Sequence, residues 1–169
     1  DGAFLAAFHR RMAAKLGLGQ WQAGDEELLN GLWSVMHQNR ADFTLSFRRL
    51  ADVASADGTP PAPGVETFED LYADREAARA WLATYRARLA QDGRSDAERA
   101  AAMNRVNPLY VLRNHLAELA IRAAKERDAG EIDRLMRLLR DPYTEQPGHE
   151  SHARVPPDWA GTLQVSCSS

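Results

Sequence analysis

Cysteine is almost absent: the chain of 169 residues holds one, Cys167. No disulfide can form within it, so its stability must come from a packed core, and a reducing compartment is its simplest setting. No apolar run approaches the ~20 residues that a membrane-spanning helix needs. An excess of one charge is missing too. Lys and Arg number 21, Asp and Glu 24, for a net charge of -3, which argues against binding nucleic acid through bulk charge. There is no Gly-rich phosphate loop, no G-x-S-x-G, no H-E-x-x-H and no cysteine pair, which removes the commonest nucleotide, hydrolase and zinc signatures. The opening, Asp1 to Arg11, has no cleavage-type signal segment, lacks an initiator Met and reads as the inside of a helical pattern. The expectation is a cytoplasmic protein whose natural N-terminus lies upstream.

What is present is the raw material of a globular helical domain. Hydrophobic residues make up 44% and charged residues 27%, and a chain of this length buries roughly 70% of its unfolded surface. Leu5, Phe8, Met12 and Leu16 recur at helical spacing until Gly17 and Gly19. Asp25, Glu26 and Glu27 suit the positive end of a second helix with Leu28, Leu29, Leu32, Val35 and Met36 inward. Asp42 is placed to cap a third, with Phe43, Phe47, Leu50 and Ala54 inward. The prolines and glycines of 57–64 read as a loop or linker, after which Thr67 and Asp70 resemble the capping pair of a short turn. Ala78, Trp81, Leu82, Tyr85 and Leu89 mark a strong amphipathic helix, and Ser95 with Glu98 forms a capping box for the next. Asn107-Pro108 looks like the best helix start in the chain, leading a helix with Leu112, Leu116, Leu119 and Ala123 on one face. A last helix follows Gly130, with Ile132, Leu135, Met136 and Leu139 inward, and Asp141-Pro142 ends it. The prediction is an all-α fold: an irregular bundle of about six or seven helices over 1–140, a possible linker at 56–66, and an extended, mostly irregular tail over 141–169. Val155, Trp159, Leu163, Val165 and Cys167 give that tail the means to join a strand or an apolar groove.

Several groups bear on chemistry. His149 and His152 have H-x-x-H spacing, but in a loop and without further ligands nearby, so a solvated loop is favoured over a zinc site. Asn104, Arg105, Val106 and Asn107, followed by Arg113 and Asn114, are dense in donors. They either bind phosphate or satisfy backbone at a helix corner, and the structural role is favoured. Arg10-Arg11 and Arg48-Arg49 read as outer helix faces. Cys167 has no His or Lys within ten residues. It is either an inert thiol or a redox cysteine whose partner lies elsewhere.

Five blocks carry a resemblance: FHRRMAAKLGL (Phe8 to Leu18), DFTLSFRRLADV (Asp42 to Val53), MNRVNPLYVLRNHLAELAI (Met103 to Ile121), LRDPYTEQP (Leu139 to Pro147) and PPDWAGTLQVSCSS (Pro156 to Ser169). Together they resemble the C-terminal region of the selenoprotein O family, also called SelO or YdiU. The resemblance implies a parent protein with a kinase-like fold and an atypical, pseudokinase active site. Such a protein transfers AMP from ATP to Ser, Thr or Tyr hydroxyls of protein substrates, with a divalent metal, usually Mg2+. It further implies that Cys167 matches a position that is selenocysteine in some eukaryotic members and often cysteine in bacterial ones, where it can pair with a cysteine of the catalytic lobe. The family's nucleotide-contacting and metal-binding motifs have no counterpart here. No catalytic, cofactor-binding or metal residue is therefore carried over, and ATP and Mg2+ would be bound outside this chain. The implied partners are the kinase-like lobe of the same polypeptide and protein substrates, with no nucleic acid and no membrane. The alternative is a stand-alone helical protein-interaction module without catalytic activity.

Overall fold

The computed structural model describes residues 2–56 and 66–163. The loop expected at 57–64, together with Val165 and Cys167, lies outside them. The described residues form seven α-helices, joined by short 3-10 turns, and contain no strand. The all-α prediction is borne out. The helices are α1 (Gly2–Leu16), α2 (Asp25–Asn39), α3 (Phe43–Arg49), α4 (Arg75–Leu89), α5 (Asp96–Asn104), α6 (Asn114–Lys125) and α7 (Gly130–Arg140). The chain divides into two compact units, Asp1–Asn107 and Pro108–Ser169.

The first unit is built around α4. Ala78, Trp81, Leu82, Tyr85 and Leu89 are all buried, as their spacing predicts, and they meet Leu28, Leu29, Leu32 and Met36 of α2 in one core. Each large apolar side chain fully withdrawn from water there contributes about 1.5–3 kcal/mol. The aromatic groups also satisfy polar needs: the Trp81 indole donates to the Leu28 carbonyl at 2.9 Å and the Tyr85 hydroxyl to the Leu16 carbonyl at 2.7 Å. Gly31 permits this approach, since a Cβ there would lie 3.1 Å from Trp81 Cδ1. Gly17 ends α1 at φ +70°, where a Cβ would collide with Met103 and Arg99. Its lack of a side chain is therefore required twice, by backbone and by packing.

The caps follow the sequence closely. Asp42 accepts the Leu45 N–H at 2.8 Å, Thr67 and Asp70 close their short turn, and Ser95 with Glu98 makes the reciprocal capping box. Some positions read as inward are not: Phe43 is exposed on α3, and Val35 and Ala54 are only half-buried, whereas Leu45 is buried; Leu5, at helical spacing on α1, is exposed.

Arg48 is not on an outer face. It is buried and donates to the backbone carbonyls of Asn104 and Asn107, both at 3.1 Å. Arg99 is likewise buried and donates to the Leu50 and Val53 carbonyls. These guanidiniums fill the acceptors left open where helices stop, a common fate of helix-end carbonyls.

The second unit corrects two expectations. Asn107-Pro108 does not start a helix; α6 begins at Asn114. The Asn107 N–H donates to the Met103 carbonyl at 2.8 Å, so the residue closes α5, and the Leu109 and Tyr110 N–H groups both go to the Pro142 carbonyl. Leu112 thus falls outside the helix and is exposed, as is Leu119. In α7 the buried positions are Leu135 and Leu138, while Ile132 and Met136 are exposed. Leu135 packs with Leu116 and Ala120 of α6, and Leu138 with Leu109, Tyr110 and Ala153. Those contacts select one apolar stripe of α7 and leave its neighbour in solvent.

Candidate functional site

The second unit holds a cleft of about 640 Å³ between the α6–α7 hairpin and the chain that follows it. The hairpin turns tightly. Arg127 adopts a left-handed φ of 64°, the Asp128 N–H bonds the Ala123 carbonyl, and the Asp128 carboxylate accepts the Gly130 N–H at 2.8 Å to open α7. After α7 the chain doubles back. The Tyr110 hydroxyl accepts the Gln146 N–H at 3.1 Å, and the Gln146 amide donates to the Leu138 and Asp141 carbonyls. The tail therefore does not run as a strand within the described residues. It forms two 3-10 turns, Glu150–Ala153 and Asp158–Thr162, and these make one wall of the cleft.

Two side-chain pairings fasten that wall. His152 Nε2 lies 2.9 Å from Glu131 Oε1, and Glu131 also pairs with Arg134. Trp159 sits edge-to-face with His115 at 6.0 Å between ring centroids, and the Arg122 guanidinium is 6.0 Å from the same indole. Burial, then the positive charges of Arg113 and His152, hold His115 below the ordinary histidine value. The H-x-x-H pair proves to be a wall element: the His149 and His152 rings meet edge-on at 5.7 Å, and His152 is bound to Glu131.

The row Ser151–His152–Glu131 has the residue types of a nucleophile, a base and an orienting acid. Its geometry speaks against that use. Ser151 Oγ is exposed, lies 3.3 Å from Nδ1 of the adjacent residue, and the carboxylate is already neutralised by Arg134. Asp128 is committed to the Gly130 N–H in the same way. The cleft is an apolar floor of Leu116, Leu119 and Ala123 under polar groups that satisfy one another. Among the described residues no group of three or more His, Cys, Asp or Glu is placed to hold a metal ion. The residues present do not fit the metal or nucleotide site that the resemblance implies for the parent protein.

The donor-rich stretch in the first unit is structural. Asn107 is fully buried; its amide donates to the Lys15 and Phe47 carbonyls at 2.8 and 3.3 Å, and its oxygen accepts from Lys15 Nζ at 2.8 Å. Arg105 Nε bonds the Ala101 carbonyl. Burial and the nearby charge of Arg11 lower the Lys15 pKa, and its ammonium lies 4.7 Å from the Phe47 ring centroid. Arg113 precedes α6 at its N-cap position and Asn114 is its first residue. Sequence reasoning missed a buried charge cluster: Arg88 pairs with Asp25 at 2.7 Å and Asp92 at 2.8 Å and donates to the Gln20 carbonyl.

Comparison with known proteins places this fold. The sequence profile of the family described as "Protein adenylyltransferase SelO" matches residues 1–140. A "Protein nucleotidyltransferase YdiU" of Bordetella petrii is 61% identical over 168 residues, covering 98% of this chain and 32% of the relative. Proteins of the same description from Burkholderia multivorans and Paraburkholderia xenovorans are 59% and 58% identical over 166 residues, each covering 98% of this chain and 31% of the relative. The chain thus spans about a third of the length of the curated relatives it matches. It belongs to the SelO family.

Proposed function

We propose that this chain is the helical C-terminal part of a bacterial, cytoplasmic SelO-type enzyme that transfers AMP from ATP to Ser, Thr or Tyr hydroxyls of proteins. In this reading ATP and Mg2+ are bound by a kinase-like lobe of the same polypeptide, outside these residues, and the helical part braces that lobe. One observation carries the reading: identity near 60% runs along 98% of the chain in relatives of which it fills only 31–32%. The polar groups of the cleft satisfy one another, which supports assigning the chemistry elsewhere. Exposed apolar residues in the first unit, Phe4 at 77% and Leu5 at 50%, suit a part that meets further protein. No helix among the described residues is long and apolar enough to cross a membrane.

Cys167 takes the role of one half of a reversible disulfide with a cysteine of the lobe. The test uses the whole enzyme and isotopically labelled ATP. The full polypeptide labels protein hydroxyls and this chain alone does not, and Cys167→Ser removes the difference in activity between oxidised and reduced enzyme. Labelling by this chain alone would refute the assignment of chemistry to the lobe. Unchanged redox sensitivity in Cys167→Ser would refute the role of the thiol.

A further inference from the structure

Three of the five histidines, His115, His149 and His152, lie where the C-terminal turns meet the α6–α7 hairpin. His115 is 6% exposed and Trp159 covers it. His115 and Arg122 are two turns apart on one face of α6, and the Trp159 ring contacts both. The charges acting on His115 are positive: Arg113 from the segment before α6 and His152 from the Glu150–Ala153 turn. Across the cleft stand Asp128, Glu131 and Arg134, with Asp128 committed to a backbone N–H and Glu131 shared between His152 and Arg134.

We propose that this seam is a pH-sensitive latch, in which protonation of His115 releases Trp159 and the Asp158–Thr162 turn from α6 while the His152–Glu131 pair keeps the Glu150–Ala153 turn in place. The Glu150–Ala153 turn has its own anchors: His152 Nε2 lies 2.9 Å from a Glu131 carboxylate oxygen, and buried Ala153 packs in the same turn. A protonated His115 gains no carboxylate bond among the described residues: its charge appears in a buried site, near Arg113, beside a ring that already faces the Arg122 guanidinium, itself paired with Glu118 at 2.7 Å. Because its folded value is lowered, the neutral form holds the seam closed. That stability is complete above about pH 6.5, the ordinary histidine value, and is lost as pH falls through that value toward the folded one. Opening uncovers the apolar floor of the cleft.

The test follows the four tryptophan indole N–H signals of the 15N-labelled chain by NMR, assigned for residue 159 with Trp159→Phe. Titration runs from about pH 8 to about pH 5.5, the window in which histidine changes charge. The Trp159 signal moves with a midpoint below about 6.5. Amide exchange of Asp158–Thr162, corrected for its intrinsic pH dependence, rises by up to about tenfold per pH unit across the transition, and Glu150–Ala153 keeps its protection. His115→Gln abolishes the movement, and His152→Gln raises its midpoint. The Trp159→Phe chain supplies a check that needs no change at His115: removing the indole raises the His115 midpoint. A Trp159 signal that stays fixed while His115 titrates would overturn the latch. So would an unchanged transition in His115→Gln, loss of protection at Glu150–Ala153 in step with Asp158–Thr162, or an unaltered His115 midpoint in Trp159→Phe.

Discussion

Arg88→Met destabilises the chain by about 3–5 kcal/mol, the usual cost of stranding a buried charge by removing its partner. Asp25 is 1% exposed and loses both guanidinium contacts, at 2.7 and 3.2 Å. Asp92 loses one at 2.8 Å, and the Gln20 carbonyl loses its donor. The pair is not thereby a large net source of stability, because two charges must first leave water. The double variant Asp25→Asn, Arg88→Met is accordingly expected to lose less than the sum of its singles. Urea denaturation followed by circular dichroism measures all three. Acid modulates the effect. Burial opposes ionisation of Asp92, but the bonds from Arg88 and the Gly19 N–H outweigh it and lower its pKa. Its contribution is therefore present above about pH 4, the ordinary aspartate range, and is lost as pH falls through the lowered value, so the deficit of Arg88→Met narrows in acid.

Asn107→Leu, which keeps the branched shape and the number of side-chain heavy atoms, costs about 2–6 kcal/mol, because two backbone carbonyls lose their donor at about 1–3 kcal/mol each. The lost bonds are those to Lys15 and Phe47, and the Lys15 ammonium loses its oxygen. A phosphate-binding asparagine would behave differently: its replacement would leave stability nearly unchanged and abolish stabilisation by added phosphate. Urea midpoints of the two chains, with and without phosphate, separate these roles. A midpoint within error of the parent chain would contradict the structural role.

The same residues show what periodicity reveals and what it hides. The α4 stripe from Ala78 to Leu89 was legible because every member faces one core. The caps at Asp42 and Ser95 were legible because they are local hydrogen bonds. Asn107-Pro108 misled because its local chemistry favours a helix start, while the Asn107 side chain serves α1 and α3 from a distance in sequence. The choice of Leu138 over Leu139 depends on Tyr110 and Ala153, which no local pattern connects to α7. One missed feature did leave a trace. Arg88 falls seven residues after Trp81 and three after Tyr85, on the apolar stripe itself, and a charge in that position calls for a buried partner. The Trp159 contact with His115 and Arg122 left none, since it joins residues from opposite ends of the second unit.

The assignment of nucleotide chemistry to residues outside this chain is tested most directly by titrating the chain with ATP and Mg2+ in a calorimeter. No saturable heat is expected, and none for the chain carrying His115→Gln or Ser151→Ala. Saturable binding of Mg-ATP, abolished by a substitution in the α6–α7 cleft, would contradict it.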